Sequence, residues 1–322
     1  MIGYKIILQP KTAFGTPLVG DTLFGQLCWA LRERFGIEYL QRSLAGYTQG
    51  NPFMIVSDAM PEGYVPLPHL PSLYWSEGEE RDRKKLKKLQ WLPEQALSRP
   101  SEQWQNYAKS DKHISVNYDL MSKHMQMHNT INRQTHTTSA GNQFAPYSNY
   151  QLWFAPESKW QVFVLLDNST LPIEQLQQAL NDIGQMGYGR DATVGLGKFD
   201  IVSCEETPLF NQTGNAVFTL ARACPQGLPF DSAFSFYQTE TRFGRHGNVE
   251  AIKGNPFKKP ILMAKTGAVF STNTTRYVGQ GIGKISMSQI EAVHQGYAPV
   301  ISFAMNTKRL EILSCTVSTE TL

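Results

Sequence analysis

Apolar positions along the chain fall into short runs whose spacing changes from place to place. Tyr4 to Gln9 (YKIILQ) is a β-rich run, followed by a turn holding Gly15, Pro17 and Gly20. In GDTLFGQLCWALRERFG the apolar residues Leu23, Phe24, Leu27, Cys28, Leu31 and Phe35 recur at helical spacing. Asp21 is placed to cap that helix and Gly36 to stop it. The chain therefore opens as strand, glycine-containing loop, helix. FMIVSDAM within 52–71 predicts a strand, and prolines 66, 68 and 71 predict no regular structure after it. Arg81, Arg83, Lys84, Lys85, Lys87 and Lys88 then crowd together, with Leu86, Leu89 and Trp91 as apolar anchors. Residues 98–151 are rich in His, Asn, Thr and Ser, with hardly any apolar periodicity. A stretch of that length without a core pattern is either disordered or functional.

The pattern resumes with QLWFAPESKWQVFVLLD, which reads as a hairpin of Leu152–Phe154 and Trp160–Leu166 about a Pro-Glu-Ser turn. A second helix is predicted from Ile173 to about Met186, then glycines, then the strand KFDIVSC. The second half follows this plan more loosely. AVFTLARA is a strand, PILMAKTGAVFS a hairpin turning at Thr266-Gly267, YVGQGIG a glycine cluster and YAPVISFAM a closing strand. NQTGN (211–215) separates the halves. The reading is α+β, with two β-rich units in tandem, 1–210 and 211–322.

Hydrophobic residues make up 41% of the 322, enough for a sizeable core, while charged residues are only 18%, which suggests that partners cover part of the surface. The net charge of +3 means that any nucleic acid must be met by a local concentration of cations. Cys28, Cys204, Cys224 and Cys315 form no C-x-x-C pair and no Cys/His cluster of zinc spacing. Reduced structural thiols, no metal and no cofactor are expected. MIGYKIILQP is too short for a signal peptide, and no run reaches the roughly eighteen apolar residues of a membrane span. A soluble cytoplasmic chain is the expectation.

The sharpest motif is Gly187-Tyr188-Gly189-Arg190-Asp191-Ala192-Thr193-Val194-Gly195-Leu196-Gly197. A dinucleotide fold or P-loop needs strand, glycines, helix, so that a helix N-terminus faces phosphate. Here the order is helix, glycines, strand, and no Gly-Lys-Ser/Thr occurs. With Arg190, Thr193 and Lys198 beside it, the loop is suited either to approach RNA phosphates closely or to pack on its own sheet.

Four stretches together resemble the RAMP superfamily of CRISPR-Cas proteins, and within it the Cas-five group, type III-A (Csm) effector subunit four. They are Gly20-Asp21-Thr22-Leu23-Phe24-Gly25; Pro66 to Pro71 with Lys84–Pro93; His128-Asn129-Thr130-Ile131-Asn132-Arg133-Gln134-Thr135; and the loop 187–197. PILMAKTGAVF and HQGYAPVISF are similar too. The resemblance implies two tandem ferredoxin-like (RRM-like) domains. It implies a β-hairpin thumb from about Arg133 to Tyr150, within an insertion at about 128–150. It also implies a non-catalytic subunit that caps the crRNA 5′ handle, between the large Cas-ten subunit and a backbone RAMP subunit. His136 stands where a glycine is expected, and Asp191 puts an acid into a loop meant to face phosphates.

The RNA-binding candidates are Gly187, Tyr188, Gly189, Arg190, Thr193, Gly195, Gly197, Lys198, Asn132, Arg133, Thr135 and His136. Tyr188 is either a stacking platform or a core tyrosine; Arg133 is either a base or ribose contact or a solvated arginine. The Lys84–Lys88 run is a solvated face, an RNA footprint or a contact to an acidic partner. His113, His124, His128 and His136 keep an alternative open, a metal-independent endoribonuclease processing pre-crRNA. No histidine precedes His69, which argues against the arrangement of Cas-six nucleases.

Overall fold

A computed structural model describes residues 1–115, 119–138, 145–247, 256–273 and 275–311. The opening is as expected. β1 (Ile2–Pro10) leads through the 11–19 loop into α1 (Gly20–Phe35), which Gly36 ends at φ 93°. A short α2 (Ile37–Leu44) follows, then β2 (Met54–Val56) and β3 (Met60–Pro61). β4 (Tyr64–Pro66) and β5 (Trp91–Pro93) pair with each other, so the proline segment does hold one short strand, whose last residue is Pro66.

β6 (Met121–His128) and β7 (Tyr147–Phe154) pair antiparallel over eight residues, inside the stretch without a core pattern. β8 (Trp160–Leu166), α3 (Ile173–Met186) and β9 (Phe199–Glu206) complete the first half. β7 and β8 follow one another but belong to different sheets. The hairpin expected at the Pro-Glu-Ser turn is therefore a corner between sheets.

The first sheet has the order β2–β8–β1–β9, with β3 also on β8, all pairs antiparallel. Taken with α1 and α3 the chain runs strand, helix, strand, strand, helix, strand. The helices pack together, Arg34 bridging to Asp182 at 2.7 Å. Leu23, Phe24, Leu27 and Leu31 of α1, and Leu176, Leu180 and Ile183 of α3, are buried in one core with Tyr4, Ile6 and Leu8 of β1.

The second half builds β10 (Ala216–Thr219), β11 (Asp231–Phe236), β12 (Thr239–Arg242), β13 (Ile261–Ala264), β14 (Val269–Ser271), β15 (Tyr277–Ile282) and β16 (His294–Phe303). Its sheet order is β11–β14–β10–β16–β15, with β12–β13 as a separate pair. Two expectations change. β13 and β14 turn at Thr266-Gly267 but pair with different strands, and the glycine cluster 277–283 is strand β15 along nearly all its length. Among the described residues no helix accompanies this sheet between 216 and 303, so a second ferredoxin-like unit with its two helices is not seen there. Also among the described residues, no helix is long and apolar enough to cross a membrane. Cys28, Cys204 and Cys224 are unpaired; Cys315 lies outside the described residues.

β16 is buried along its whole length and ties the halves together. The Gln295 side chain accepts from Val56 N–H and donates to Val56 C=O, both at 2.8 Å, copying a strand partner at the edge of β2. The Tyr297 hydroxyl donates to the Tyr47 carbonyl at 2.9 Å. Gln295→Ala would leave a buried N–H and a buried C=O unpaired, each worth about 1–3 kcal/mol. The expected outcome in urea unfolding is a midpoint lowered by the equivalent of about 2–4 kcal/mol, with an unchanged m-value.

Candidate nucleic-acid interface

Gly187 ends α3, and the segment after it folds back on the 11–19 loop. Tyr188 N–H donates to Gly197 C=O at 2.9 Å, Gly197 N–H to Ala13 C=O at 2.8 Å, and Lys198 N–H to Thr12 Oγ1 at 3.0 Å. Arg190 N–H donates to Thr16 Oγ1 at 3.0 Å and Gly189 N–H to Gln26 Oε1 of α1 at 3.2 Å. Most of the loop's donors are thus used inside the protein. Close approach is the glycines' main task. A Cβ on Gly197 (φ 78°) would lie 2.1 Å from Tyr188 O, and Gly187 and Gly189 are similarly crowded. Gly195 (φ 96°) is the exception, facing open space.

Tyr188 does not stack on a ligand. Its ring is fully buried beside Phe14, and its hydroxyl donates to Pro17 C=O at 2.8 Å and accepts from Val19 N–H at 3.3 Å. Burial raises its pKa, so the phenol stays protonated. It is a tether that holds the 11–19 loop against the glycine loop. Arg190, Thr193 and Lys198 are the outward polar side chains, with the apolar Val194 exposed beside them. Arg190 donates to Tyr150 C=O at 2.5 Å and its Nε pairs with Asp191 at 3.1 Å. The acid inside the loop is thereby neutralised by its own neighbour.

The same surface receives the β6–β7 hairpin. Phe14 and Leu152 exchange backbone hydrogen bonds of 2.9 and 2.8 Å, and Arg190 holds the backbone at Tyr150. Register gives the hairpin two faces. One carries Met121, Lys123, Met125 and Met127 with Leu152 and Tyr150; Lys123 sits over the Tyr150 ring at 4.1 Å. The other carries His124, Gln126 and His128 with Trp153, Asn149 and Tyr147, whose ring stacks on His128 at 5.1 Å.

Asn132, Arg133, Thr135 and His136 form the turn region beyond this hairpin. Asn132 Oδ1 accepts from Gln134 N–H at 2.9 Å, and Thr135 and Thr137 hydroxyls meet at 2.9 Å. His136 adopts φ 55°, the left-handed conformation a glycine would supply there. In chain order these residues follow His128, which pairs with Tyr147 three ladder positions beyond the pair of Met125 with Tyr150. The glycine loop holds the hairpin at Tyr150, and the turn follows the other end of the ladder.

Asp21 is not the cap expected at α1. The first N–H, of Gly20, is taken by Asp58 Oδ1 at 2.8 Å, and Asp21 instead receives Arg242 through bonds of 2.6 and 2.9 Å. Burial pushes its carboxyl up. Arg242, with His294 and Arg222, outweighs that and leaves it below the ordinary value. Arg222 spans Asp58 (3.4 Å) and Glu240 (3.1 Å). Asp58 stays raised, because burial exceeds the help of Arg222, Thr266 and Gly20. His294, buried and near Lys258 and Arg242, is lowered to about 4 despite the attraction of Asp21. It is neutral at pH 7, so its 3.5 Å approach to Asp21 is not an ion pair there.

Sequence reasoning missed Gln26, the contact of Arg190 with the Tyr150 carbonyl and the length of the hairpin. The available signal was the two-residue alternation of Met121, Lys123, Met125 and Met127.

No family model matches the chain, and a search of curated proteins finds no match. Solved structures do match. A chain of the Csm3–Csm4 subcomplex of the type III-A CRISPR-Cas interference complex is similar at 14% identity and a TM-score of 0.62, over 93% of this chain and 99% of that one. A chain of a Csm1–Csm4 cassette in complex with pppApA is similar at 15% identity and a TM-score of 0.58, covering 94% and 98%. The cassette with AMPPNP gives 16% and 0.56, again over 94% and 98%. Csm4 is the component common to these assemblies, and at these identities the likeness is one of fold.

Two measurements check the geometry of the site. Gly197→Ala is expected to lower stability by about 2 kcal/mol or more, because both the φ and the space are wrong. Gly195→Ala, strained in φ but unobstructed, is expected to cost about 1 kcal/mol in the same denaturation experiment. His294 carries a pH signature. Its folded pKa lies below the unfolded value, so the unfolded chain binds more protons between about pH 6.5 and 4. Stability is therefore expected to fall as pH drops through that window, by on the order of 3 kcal/mol, and to fall less in His294→Gln.

Proposed function

We propose that this protein is a non-catalytic crRNA-binding subunit of a type III CRISPR effector complex. In this reading it caps the 5′ repeat-derived handle and bridges a large Cas-ten subunit to the backbone RAMP subunits in the cytoplasm. The observation that carries it is the whole-chain likeness of fold to chains of Csm3–Csm4 and Csm1–Csm4 assemblies. The strand order of the first sheet, with α1 and α3 packed together, fits a ferredoxin-like unit at the N-terminal half. The hairpin β6–β7 fits the thumb, and its turn at 132–137 is where Arg133 would meet a splayed nucleotide. Arg190, Thr193 and Lys198 give the inner end of the same path its outward polar groups.

Binding without cleavage is favoured by the placement of the histidines. His124 and His128 are four residues apart on an extended strand, about 13 Å, and His113 hydrogen-bonds Ser110. Such spacing does not bring a general base and a general acid to one phosphodiester.

The double variant Arg133→Ala/Arg190→Ala is expected to bind handle-containing crRNA about tenfold more weakly, with a salt slope shallower by about two. Handle length after incubation in EDTA is expected to be the same with and without the subunit. Wild-type affinity and normal assembly in the double variant would refute the binding role. Shortening of repeat RNA by the purified chain, lost in His128→Ala or His136→Ala, would favour the nuclease.

A further inference from the structure

The outward face of α1 carries a second feature, one the sequence did not single out. Thr22, Gly25, Trp29 and Arg32 follow one another at spacings of three and four, so they line one stripe of the helix. The space over Gly25 is open: a Cβ there would meet nothing within 4 Å. Trp29 is half-buried, and the Arg32 guanidinium lies over its ring at 4.8 Å. Beside the stripe runs the segment after β12. A Cβ on Gly247 would sit 3.6 Å from Trp29 Nε1, and two residues earlier Arg245 lies over the exposed Phe257 ring at 5.1 Å. This second stack is held on a pinned ladder. His246 N–H donates to Pro256 C=O and Lys258 N–H to Gly244 C=O, both at 2.8 Å, and the buried His246 ring bonds Ser286 at 2.7 Å.

The neighbouring arginines make the contrast. Arg34 is neutralised by Asp182 and Arg242 by Asp21. Arg32 and Arg245 enter no salt bridge among the described residues, and each has its guanidinium carbon over an aromatic ring near the surface. A flat guanidinium over an aromatic ring can take a base on its plane and a phosphate on its edge. The patch is cationic and interleaved with aromatics, unlike the charge-depleted core of a protein–protein interface. Gln26, next to Gly25 on the same helix, holds Gly189 N–H, so α1 carries both the stripe and an anchor of the glycine loop.

The geometry points to a second RNA-contact platform, formed by Trp29, Arg32, Arg245 and Phe257, on which one or two nucleotides of single-stranded RNA stack after leaving the glycine loop. This rests on the reading of the chain as a crRNA-binding subunit and extends the path of that RNA along α1.

The test uses the full chain and crRNA carrying 4-thiouridine at successive handle positions. Crosslinks are expected on the peptide containing Trp29 or on that containing Phe257, besides those at 187–198. Trp29→Ala and the double variant Arg32→Ala/Arg245→Ala are each expected to weaken binding about tenfold. The arginine pair should also reduce the salt slope by about two. Its side chains are exposed, so its melting temperature should match the wild type and any loss reads as binding. Wild-type affinity in both variants, with crosslinks kept at 187–198, overturns the platform and leaves the handle reading intact. Crosslinks at neither place overturn both. If the same substitutions instead abolish a concentration-dependent dimer and spare RNA binding, the patch is an interface between copies, and the platform is likewise overturned.

Discussion

Two carboxylates are buried at the start of α1, and the architecture depends on how they are compensated. Asp58 caps the helix from outside, while Asp21 points away from the helix end toward the second half of the chain. Each needs a cation that the first half does not provide. Arg222, just past β10, and Arg242, at the end of β12, supply them. A buried carboxylate stripped of its partner costs about 3–5 kcal/mol, so α1 and the strands of the second half cannot be repositioned independently. The helix in turn fixes the loops around it. Gln26 takes Gly189, and Tyr188 takes Pro17 and Val19. The geometry of the candidate interface is therefore set partly by charges on the far side of the helix.

Local pattern made much of this legible. Ile173–Met186 and the opening strand and helix follow directly from spacing, with Gly36 and Gly187 as stops. What spacing could not reveal is which strand pairs with which. Leu152–Phe154 and Trp160–Leu166 read as a hairpin, because a short polar turn joins two apolar runs. Their partners lie elsewhere, in β6 for one and β1 for the other. β6 itself was hidden because its alternation is written in Met, Lys, His and Gln, not in β-branched residues. Asp21 sits at a position that reads as a cap, but the side chain that wins the helix end comes from Asp58, thirty-seven positions later in the chain.

The glycine loop was found by sequence for a reason that the structure divides in two. Gly187, Gly189 and Gly197 are small because backbone or side-chain atoms crowd the place a Cβ would occupy. Their role is to let two loops lie flat on one another, and Tyr188 between them belongs to that packing. The exposed polar side chains fall instead at the non-glycine positions Arg190, Thr193 and Lys198. A glycine-rich signature thus marks where a surface is built, and its neighbours mark what that surface can hold. Trp29 and Gln26 escaped notice because, on a helix, an aromatic and an amide at helical spacing look like ordinary packing.

The hairpin β6–β7 is attached to the body at its base, chiefly through Phe14 with Leu152 and through Arg190 with Tyr150, while its far end stands clear with Met125, Met127 and Ile131 exposed. Mechanically it is a lever with its fulcrum at Phe14. Tilting the outer end by a few ångströms would load the Arg190–Tyr150 bond, and through Arg190 the Thr16 hydroxyl that anchors the loop's opening turn. A displacement of the hairpin would therefore reach the glycine loop through these bonds.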